Sequence, residues 1–367
     1  MDAAVRPHVA GWYEAGTLPA RELALRCGDT GLLGMHLQGY GCAGTSAVAY
    51  GLACLELEAA DSGIRSLVSV QGSLAMFPIW KYGSEEQKQQ YLPGMASGEI
   101  IGCFGLTEPD AGSDPASMRT RAHRDGDGFV LTGGKMWITN GTIADIAIVW
   151  AKLADNDGAE EAGEIRGFIV PTSTPGFTAR EVTHKLSLRA SATAELTFDA
   201  IRLGPEALLP DARGLKAPLS CLTQARTGIL FGALGAARDC LEVTLDYVQT
   251  RTVFGKPLAG HQLTQAKLAD MTTAYTAAYL MALHIGHATD NGTATPTMVS
   301  MGKLNSTRTA LGIARTCRTL LGANGISGEY PILRHTNNLE SVLTYEGTAE
   351  IHQLILGQAL TGINAFD

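Results

Sequence analysis

Apolar positions recur along the chain at two different periods, and the period changes twice. Over the first hundred residues the spacing is helical. In "TSAVAYGLACLELEAADSG" (45–63), Val48, Leu52, Leu55 and Ala59 fall three or four apart, and Gly63 is placed to end the helix. "GSEEQKQQYLPGMASGE" (83–99) opens on Ser84 with Gln87 three residues on, the pattern of a capping box. Near residue 104 the period shortens to two. "FVLTGGKMWIT" (129–139) is two short alternating runs around Gly133-Gly134, which predicts a β-hairpin. "DIAIVWAKL" (145–153), "IRGFIVP" (165–171) and "AELTFDAIRL" (194–203) read as further strands, and the acidic "ADNDGAEEAGE" (154–164) as a solvated loop between them. From about residue 214 the helical period returns. Leu304, Arg308, Leu311, Ala314, Arg318 and Leu321 step by three or four up to Gly322, and "GHQLTQAKLADMTTAYTAAYLMALHIG" (260–286) predicts a second long helix whose apolar width suits a bundle.

The order predicts a mainly α chain with a middle β domain. The expected division is a helical domain over 1–103, a β domain over 104–208 and a helical bundle over 209–367. No repeat or low-complexity segment interrupts it.

Composition narrows the function. The chain has 367 residues, 45% of them apolar, enough to bury a large core. The net charge is −8, with no basic run, zinc-finger spacing or aromatic-plus-basic stripe, so a nucleic-acid partner is not expected. A polyanionic ligand would have to be held by a few individual Arg, Lys or backbone N–H groups against the overall field. Seven cysteines, an odd number without C-x-x-C, read as reduced packing residues. "MDAAVRPHVAGWYEAG" has no signal-peptide core and no apolar run reaches a membrane span, so the expected location is cytoplasmic.

Taken singly, the stretches that could carry chemistry are ambiguous. "CFGLTEPDAGSD" (103–114) has the residues of an ordinary loop, and also the small residues that let backbone N–H groups approach a planar ring. Trp137 in "KMWITNG" (135–141), taken alone, is a core residue before it is a ligand contact. Arg251 and Gln262 flank a Phe-Gly-Lys-Pro turn in "RTVFGKPLAGHQLTQAKLADM" (251–271), the features of a helix–helix connection. "GANGISG" (322–328) is glycine-rich, but a helix precedes it where a nicotinamide-dinucleotide fingerprint needs a strand. There is no Walker A sequence, metal-ligand cluster or G-x-S-x-G elbow. In "LTYEGTAEIHQLILG" (343–357), one acid, Glu346, stands before Gly347, Thr348 and an apolar helix, where capping and catalysis both fit.

Together they point one way. "CFGLTEPDAGSD", "MWITNG", "RTVFGKPL", "GHQLTQAKLADM" and "YEGTAEIHQLILG" stand in that order across nearly the whole chain, and this set resembles the acyl-CoA dehydrogenase family. "GYGCAG" (39–44), "ELEAADSGIRSLVSVQGSL" (56–74), "KLSLRASATAEL" (185–196), "LGANGIS" (321–327) and "TYEGTAEIHQLILGQALTGINAF" (344–366) are similar to its glutaryl-CoA dehydrogenase branch. The resemblance implies an N-terminal helical domain, a β-barrel-like middle domain, a C-terminal four-helix bundle, FAD, a homotetramer and an electron-transfer flavoprotein as electron acceptor. Family members carry a fuller first helix before the segment matching "MDAAVRPHVAGWYEAG", and the small residues of "EPDAGSDPAS" vary without expected effect.

The same resemblance assigns roles. Glu346 would be the base that takes the α-proton of an acyl-CoA, with the β-hydrogen leaving as hydride to the flavin. An α-proton beside a thioester is too weak an acid for an exposed carboxylate, so the base must be desolvated and the carbonyl polarised. In the family, the catalytic Glu backbone N–H and a flavin ribityl hydroxyl donate to that carbonyl oxygen. FAD contacts carry over to Phe104, Leu106, Thr107 and Ser113, to Trp137, Ile138 and Thr139, and to Arg251 (from a neighbouring subunit), Gln262, Leu320, Leu321, Gly322, Ala323 and Thr348. Substrate contacts carry over to Arg226 near the CoA portion, and to Ser66, Ser113 and Gly347.

Arg65 sets the substrate class. A straight-chain pocket has no partner for a buried Arg, whereas a dicarboxylyl thioester supplies a distal carboxylate. Glu58 lies seven residues before Arg65, on the same face if one helix spans both, and Ser69 four after; with Tyr345 they match the branch's carboxylate-binding set. Glutaryl-CoA oxidation followed by decarboxylation to crotonyl-CoA is therefore expected. The alternatives are a biosynthetic flavin dehydrogenase acting on another carboxylated thioester, on CoA or a carrier protein, and a non-catalytic flavin-binding or helical interaction protein.

Overall fold

The structure, a computed structural model, describes Met1 and residues 3–154 and 163–366. The segment expected to be a solvated loop (154–164) falls largely outside those residues. Helices α1 (Val9–Ala15), α2 (Ala20–Asp29), α3 (Ala47–Ala60), α4 (Ser62–Ser69), α5 (Phe77–Tyr82) and α6 (Glu85–Ser97) form the first part, with a small hairpin of β1 (Gln38–Gly39) and β2 (Cys42–Ala43). A π-helical stretch, Val70–Met76, joins α4 to α5 without a break. The α6 capping box forms as expected: the Ser84 hydroxyl accepts from Gln87 N at 3.3 Å and Gln87 Oε1 accepts from Ser84 N at 2.9 Å.

Eight strands follow: β3 (Gly102–Gly105), β4 (Arg121–Asp125), β5 (Gly128–Thr139), β6 (Ile146–Ala154), β7 (Glu164–Pro171), β8 (Phe177–Glu181), β9 (Thr193–Leu203) and β10 (Leu208–Arg213). They are ordered β10-β7-β6-β4-β5-β9-β8, with β3 parallel to β6. The β6 strand is buried on both faces. Ile146, Ile148 and Trp150 pack toward the N-terminal helices, while Ala147, Val149 and Ala151 pack within the sheet core around Phe168 and Phe198. This explains its nearly unbroken apolar sequence.

The last part is helical again: α7 (Lys216–Thr250), the hairpin β11 (Thr252–Val253) and β12 (Lys256–Pro257), α8 (Gln262–Asp290), α9 (Pro296–Leu320), α10 (Ile332–Thr344) and α11 (Ala349–Thr361). The α7 helix packs against both α3 and α9 through a core rich in Ala, including Ala233, Ala236, Ala310 and Ala314. Among the described residues no helix is long and apolar enough to cross a membrane.

Three expectations are corrected. Gly133-Gly134 does not turn a hairpin; β5 runs straight through it with a register shift against β9 between Leu131 and Gly133. Two glycines in an alternating run marked a bulge, not a turn. Gly63 does not end α3. The helix stops at Asp61, which is extended (φ −169°, ψ 144°), and Gly63 lies in the first turn of α4, where its N–H donates to the Asp61 carboxylate at 2.8 Å. Finally, the expected α9 stripe is buried only in part: Leu311, Ala314 and Leu321 lie inside, and Leu304 and Arg318 are half-buried. Arg308 is exposed, and Gly302, Lys303, Ser306, Thr307 and Ala310 face inward. Small and polar residues line the first half of that face, where α7 and the turn between α10 and α11 lie close, while Leu311, Ile313 and Leu320 are buried further along.

Candidate active site

The break at Asp61 builds one wall of the site. Its buried carboxylate also accepts from Asn338 Nδ2 at 3.0 Å and pairs with Arg334 Nε at 3.1 Å, tying α4 to α10. Glu58 and Arg65 lie on different helices, yet Arg65 Nε donates to Glu58 Oε2 at 2.6 Å. Glu58 Oε1 accepts from Ser62 Oγ at 2.9 Å, and Arg65 Nη2 donates to the Tyr345 hydroxyl. Both charges are fully buried. Burial opposes the Arg65 charge, but Glu58 and Tyr345 outweigh it and hold the guanidinium pKa well above its usual value. Gly232 on α7 makes room for the pair, since a Cβ there would lie 2.2 Å from Glu58 Oε2. Ser66 and Ser69 are buried beside it on α4, and the Ser69 hydroxyl has no hydrogen-bond partner among the described residues.

Tyr345 ends α10, and two residues of left-handed backbone follow: Glu346 (φ +54°) and Gly347 (φ +97°). Thr348 then caps α11, its hydroxyl accepting from Ile351 N at 3.3 Å. The capping role therefore belongs to Thr348, with Glu346 two residues ahead of the cap. A Cβ at Gly347 would lie 2.9 Å from His352 Nε2, so only glycine fits that turn. For a glutamate, positive φ costs about 1–2 kcal/mol. Strain at a non-glycine residue is the kind of feature kept where a side chain must be aimed.

The turn is held by cations. Lys303 Nζ donates to the Tyr345 and Gly347 carbonyls, both at 2.6 Å, and Arg226 Nε donates to the Glu346 carbonyl at 2.7 Å. Among the described residues the Glu346 N–H makes no hydrogen bond. Glu346 keeps some exposed surface, but its Oε2 atom is shielded and has no partner there. Burial raises the Glu346 pKa, and Arg65, Lys303 and Arg226 only partly oppose it. Burial lowers Lys303 to about 7, against the pull of the Glu346 carboxylate. His352 is buried against the same turn, and burial drives its pKa down to about 3, so it is neutral.

A second cluster lies where β3 enters the sheet. Phe104, Leu106 and Ile138 are buried, and Thr107 O accepts from Met136 N at 2.9 Å, joining the first loop to the end of β5. Trp137, a core residue if taken alone but assigned to the cofactor by the resemblance, is 58% exposed at φ +64°. Thr139 is half-buried and Ser113 exposed on its turn.

Family models for the acyl-CoA dehydrogenase N-terminal, middle and C-terminal domains match residues 1–99, 103–201 and 212–361. The chain belongs to the acyl-CoA dehydrogenase family. It is similar to a glutaryl-CoA dehydrogenase from Mycobacterium smegmatis (64% identity, 100% of this chain and 92% of that one, TM-score 0.96). It is also similar to a glutaryl-CoA dehydrogenase from that organism solved in complex with FADH2 (61% identity, the same coverage, TM-score 0.96). Among curated proteins, it is 37% identical over 344 residues to an acyl-CoA dehydrogenase of Bacillus subtilis strain 168, covering 93% of this chain and 90% of that one. The protein is an FAD-dependent acyl-CoA dehydrogenase with the family's mainly α fold and middle β domain.

The residues fit that cofactor. An exposed Trp in left-handed backbone, next in the chain to the Met136 N–H that bonds Thr107, offers apolar surface to a planar ring, and the assigned Thr107, Ser113 and Thr139 bring hydroxyl donors. Arg251 and Gln262 are exposed on the bundle, and Leu320 and Leu321 are buried below exposed Gly322 and Ala323. Among the described residues no hydrogen bond or ion pair joins this bundle group to the Trp137 cluster. Phe254 (96% exposed), Leu263 (80%) and Ile326 (61%) surround Arg251, Gln262 and Gly322 in sequence, so apolar surface accompanies them.

Sequence reasoning missed Lys303, His352 and the buried Lys135–Glu108 pair. Lys135 Nζ donates to Glu108 Oε1 at 2.7 Å and to Leu106 O at 3.0 Å, while the same carboxylate accepts from Arg119 N at 2.6 Å and Thr120 N at 3.0 Å. Burial lowers Lys135 to about 8 even beside its partner. Lys135 alternates with Met136 in a strand and Lys303 falls on the small-residue face of α9; a lysine in line with buried positions was the available signal. Lys135→Met leaves Glu108 buried without its cation and is expected to lower the stability of the holoprotein by about 3–5 kcal/mol. Chemical denaturation measures it; a loss below about 1 kcal/mol would show that the pair does not hold the loop.

Proposed function

We propose that this enzyme oxidises glutaryl-CoA, with Glu346 as the base, and decarboxylates the product to crotonyl-CoA. One observation carries the reading: Tyr345, next to Glu346 in the chain, also receives the hydrogen bond of the buried Arg65. A carboxylate reader and a base are thereby linked through adjacent residues. A guanidinium this deeply buried would bind a distal substrate carboxylate far better than a methyl group. The 64% identity to a glutaryl-CoA dehydrogenase supports the same substrate.

The bound FAD supplies the hydride acceptor. The chain's own residues do the rest. The Glu346 carboxylate takes the α-proton, and the Glu346 N–H, without an acceptor among the described residues, donates to the thioester carbonyl as charge builds there. Loss of the α-proton and a β-hydride gives glutaconyl-CoA, whose carboxylate is vinylogous to a β-keto acid. Its carbon–carbon bond breaks, carbon dioxide leaves, and the electron pair spreads toward the polarised thioester. Protonation from Glu346 completes crotonyl-CoA. The assigned FAD contacts, with Arg226, Ser66, Ser69, Ser113 and Gly347 toward substrate, and the division at 103/104 and 208/209, belong to the same reading. So do a homotetramer, supported by the bared Phe254 and Leu263 beside exposed Arg251, and electron-transfer flavoprotein as acceptor, supported by the family.

Anaerobic mixing with glutaryl-CoA tests the proposal. Loss of flavin absorbance and release of one carbon dioxide per turnover are both expected. Flavin reduction without carbon dioxide would remove the decarboxylation. Faster reduction by a longer or shorter dicarboxylyl thioester, or by one on a carrier protein, would favour the biosynthetic alternative, because Arg65 reads a carboxylate and not a chain length.

A further inference from the structure

Three consecutive carbonyls, those of Tyr345, Glu346 and Gly347, each accept from a buried cation. The carbonyl of Tyr345 and the N–H of Glu346 belong to one peptide group. A cation on that oxygen draws density from the amide nitrogen and makes the N–H a stronger donor. That N–H is the one without an acceptor among the described residues. We propose that Lys303 is a positioning residue of the reaction, which aims and polarises the Glu346 N–H toward the thioester carbonyl through the Tyr345–Glu346 peptide.

The alternative role, a plain ion pair with Glu346, does not match the geometry. Among the described residues Lys303 forms no salt bridge within 4.0 Å, and its two short bonds both go to backbone oxygens. Two carbonyls at 2.6 Å favour the ammonium here, against the burial that lowers its pKa. Gly347 being tied by the same Nζ also locks the turn, so the N–H cannot swing away while the Glu346 side chain moves. Arg226 acts in parallel on the next peptide, whose N–H is that of Gly347.

The proposal rests on the thioester lying at Glu346, and its test does not depend on proton removal. The holoenzyme is saturated with 3,3-dimethylglutaryl-CoA, which has no β-hydrogen to lose, carrying ¹³C at its thioester carbonyl. Isotope-edited infrared difference spectra then report carbonyl polarisation directly. The wild-type band is expected below that of the free thioester. Lys303→Met should return most of the shift, and Lys303→Gln, which can still donate without charge, should give an intermediate band. With glutaryl-CoA, kcat for the Met variant should fall by roughly 10–100-fold, less than loss of a whole oxyanion donor, with KM changed far less. The proposal is overturned if Lys303→Met, with native flavin absorbance and melting temperature, keeps the wild-type band and kcat, or if the wild-type band is unshifted. If the Met variant does not fold, the Gln variant decides by the same two readouts. Failure of Glu346 as base would show separately, as α-proton exchange retained in Glu346→Gln.

Discussion

Glu346→Gln is expected to lower turnover by about 10⁴-fold, the upper end of what a positioned base contributes. Gln keeps the volume and the left-handed backbone but cannot accept the α-proton. The variant should still take up FAD, because none of the assigned contacts is the Glu346 side chain and the backbone leading to Thr348 is kept. Exchange of the substrate α-proton with deuterium oxide measures the loss apart from oxidation. Exchange at the wild-type rate would show that another group is the base. The pH profile follows from the same burial. Since the Glu346 pKa is raised, the ionised base is present only above the ordinary carboxylate range. Wild-type kcat/KM should therefore rise with pH through that raised value and be lost as pH falls below it. The midpoint belongs to the Glu346–Lys303 pair rather than to either group, because the two interact.

Arg65→Met combined with Glu58→Gln should lower kcat/KM for glutaryl-CoA by at least about 100-fold relative to butyryl-CoA. The double change is the informative one. Removing Arg65 alone leaves Glu58 as an uncompensated buried charge, a loss of roughly 3–5 kcal/mol that would blur any effect on specificity. With both charges gone the pocket is neutral, and only the dicarboxylyl substrate loses a partner. Steady-state kinetics with the two thioesters give the ratio. Equal losses would show that Arg65 serves the fold and not the substrate.

Much of this enzyme is legible in its sequence. The change of period located the sheet, since β6, β7 and β9 alternate or run apolar where side chains meet two packed layers. The α6 capping box was legible because it is closed within four residues. The Gly133 hairpin failed because a two-residue glycine signal does not tell a turn from a bulge; the strand across the gap decides.

The site divides in the same way. Motif order, through the resemblance it carries, marked Glu346 and Arg65; taken singly, Glu346 fitted a cap equally well. Spacing put Glu58 and Arg65 on one face only if a single helix spanned both; the actual meeting is made across the break at Asp61, which Arg334 and Asn338 hold from α10. The hold on the Glu346 turn, Lys303 from α9 and Arg226 from α7, joins residues 42 to 120 apart in the chain. No spacing rule reaches that far. Periodicity and capping depend on neighbours within a turn or a strand, so sequence determines elements and the residue types of the chemistry. How a charge is paid for, and which way an N–H points, depends on distant helices packed together, and only the tertiary structure decides it.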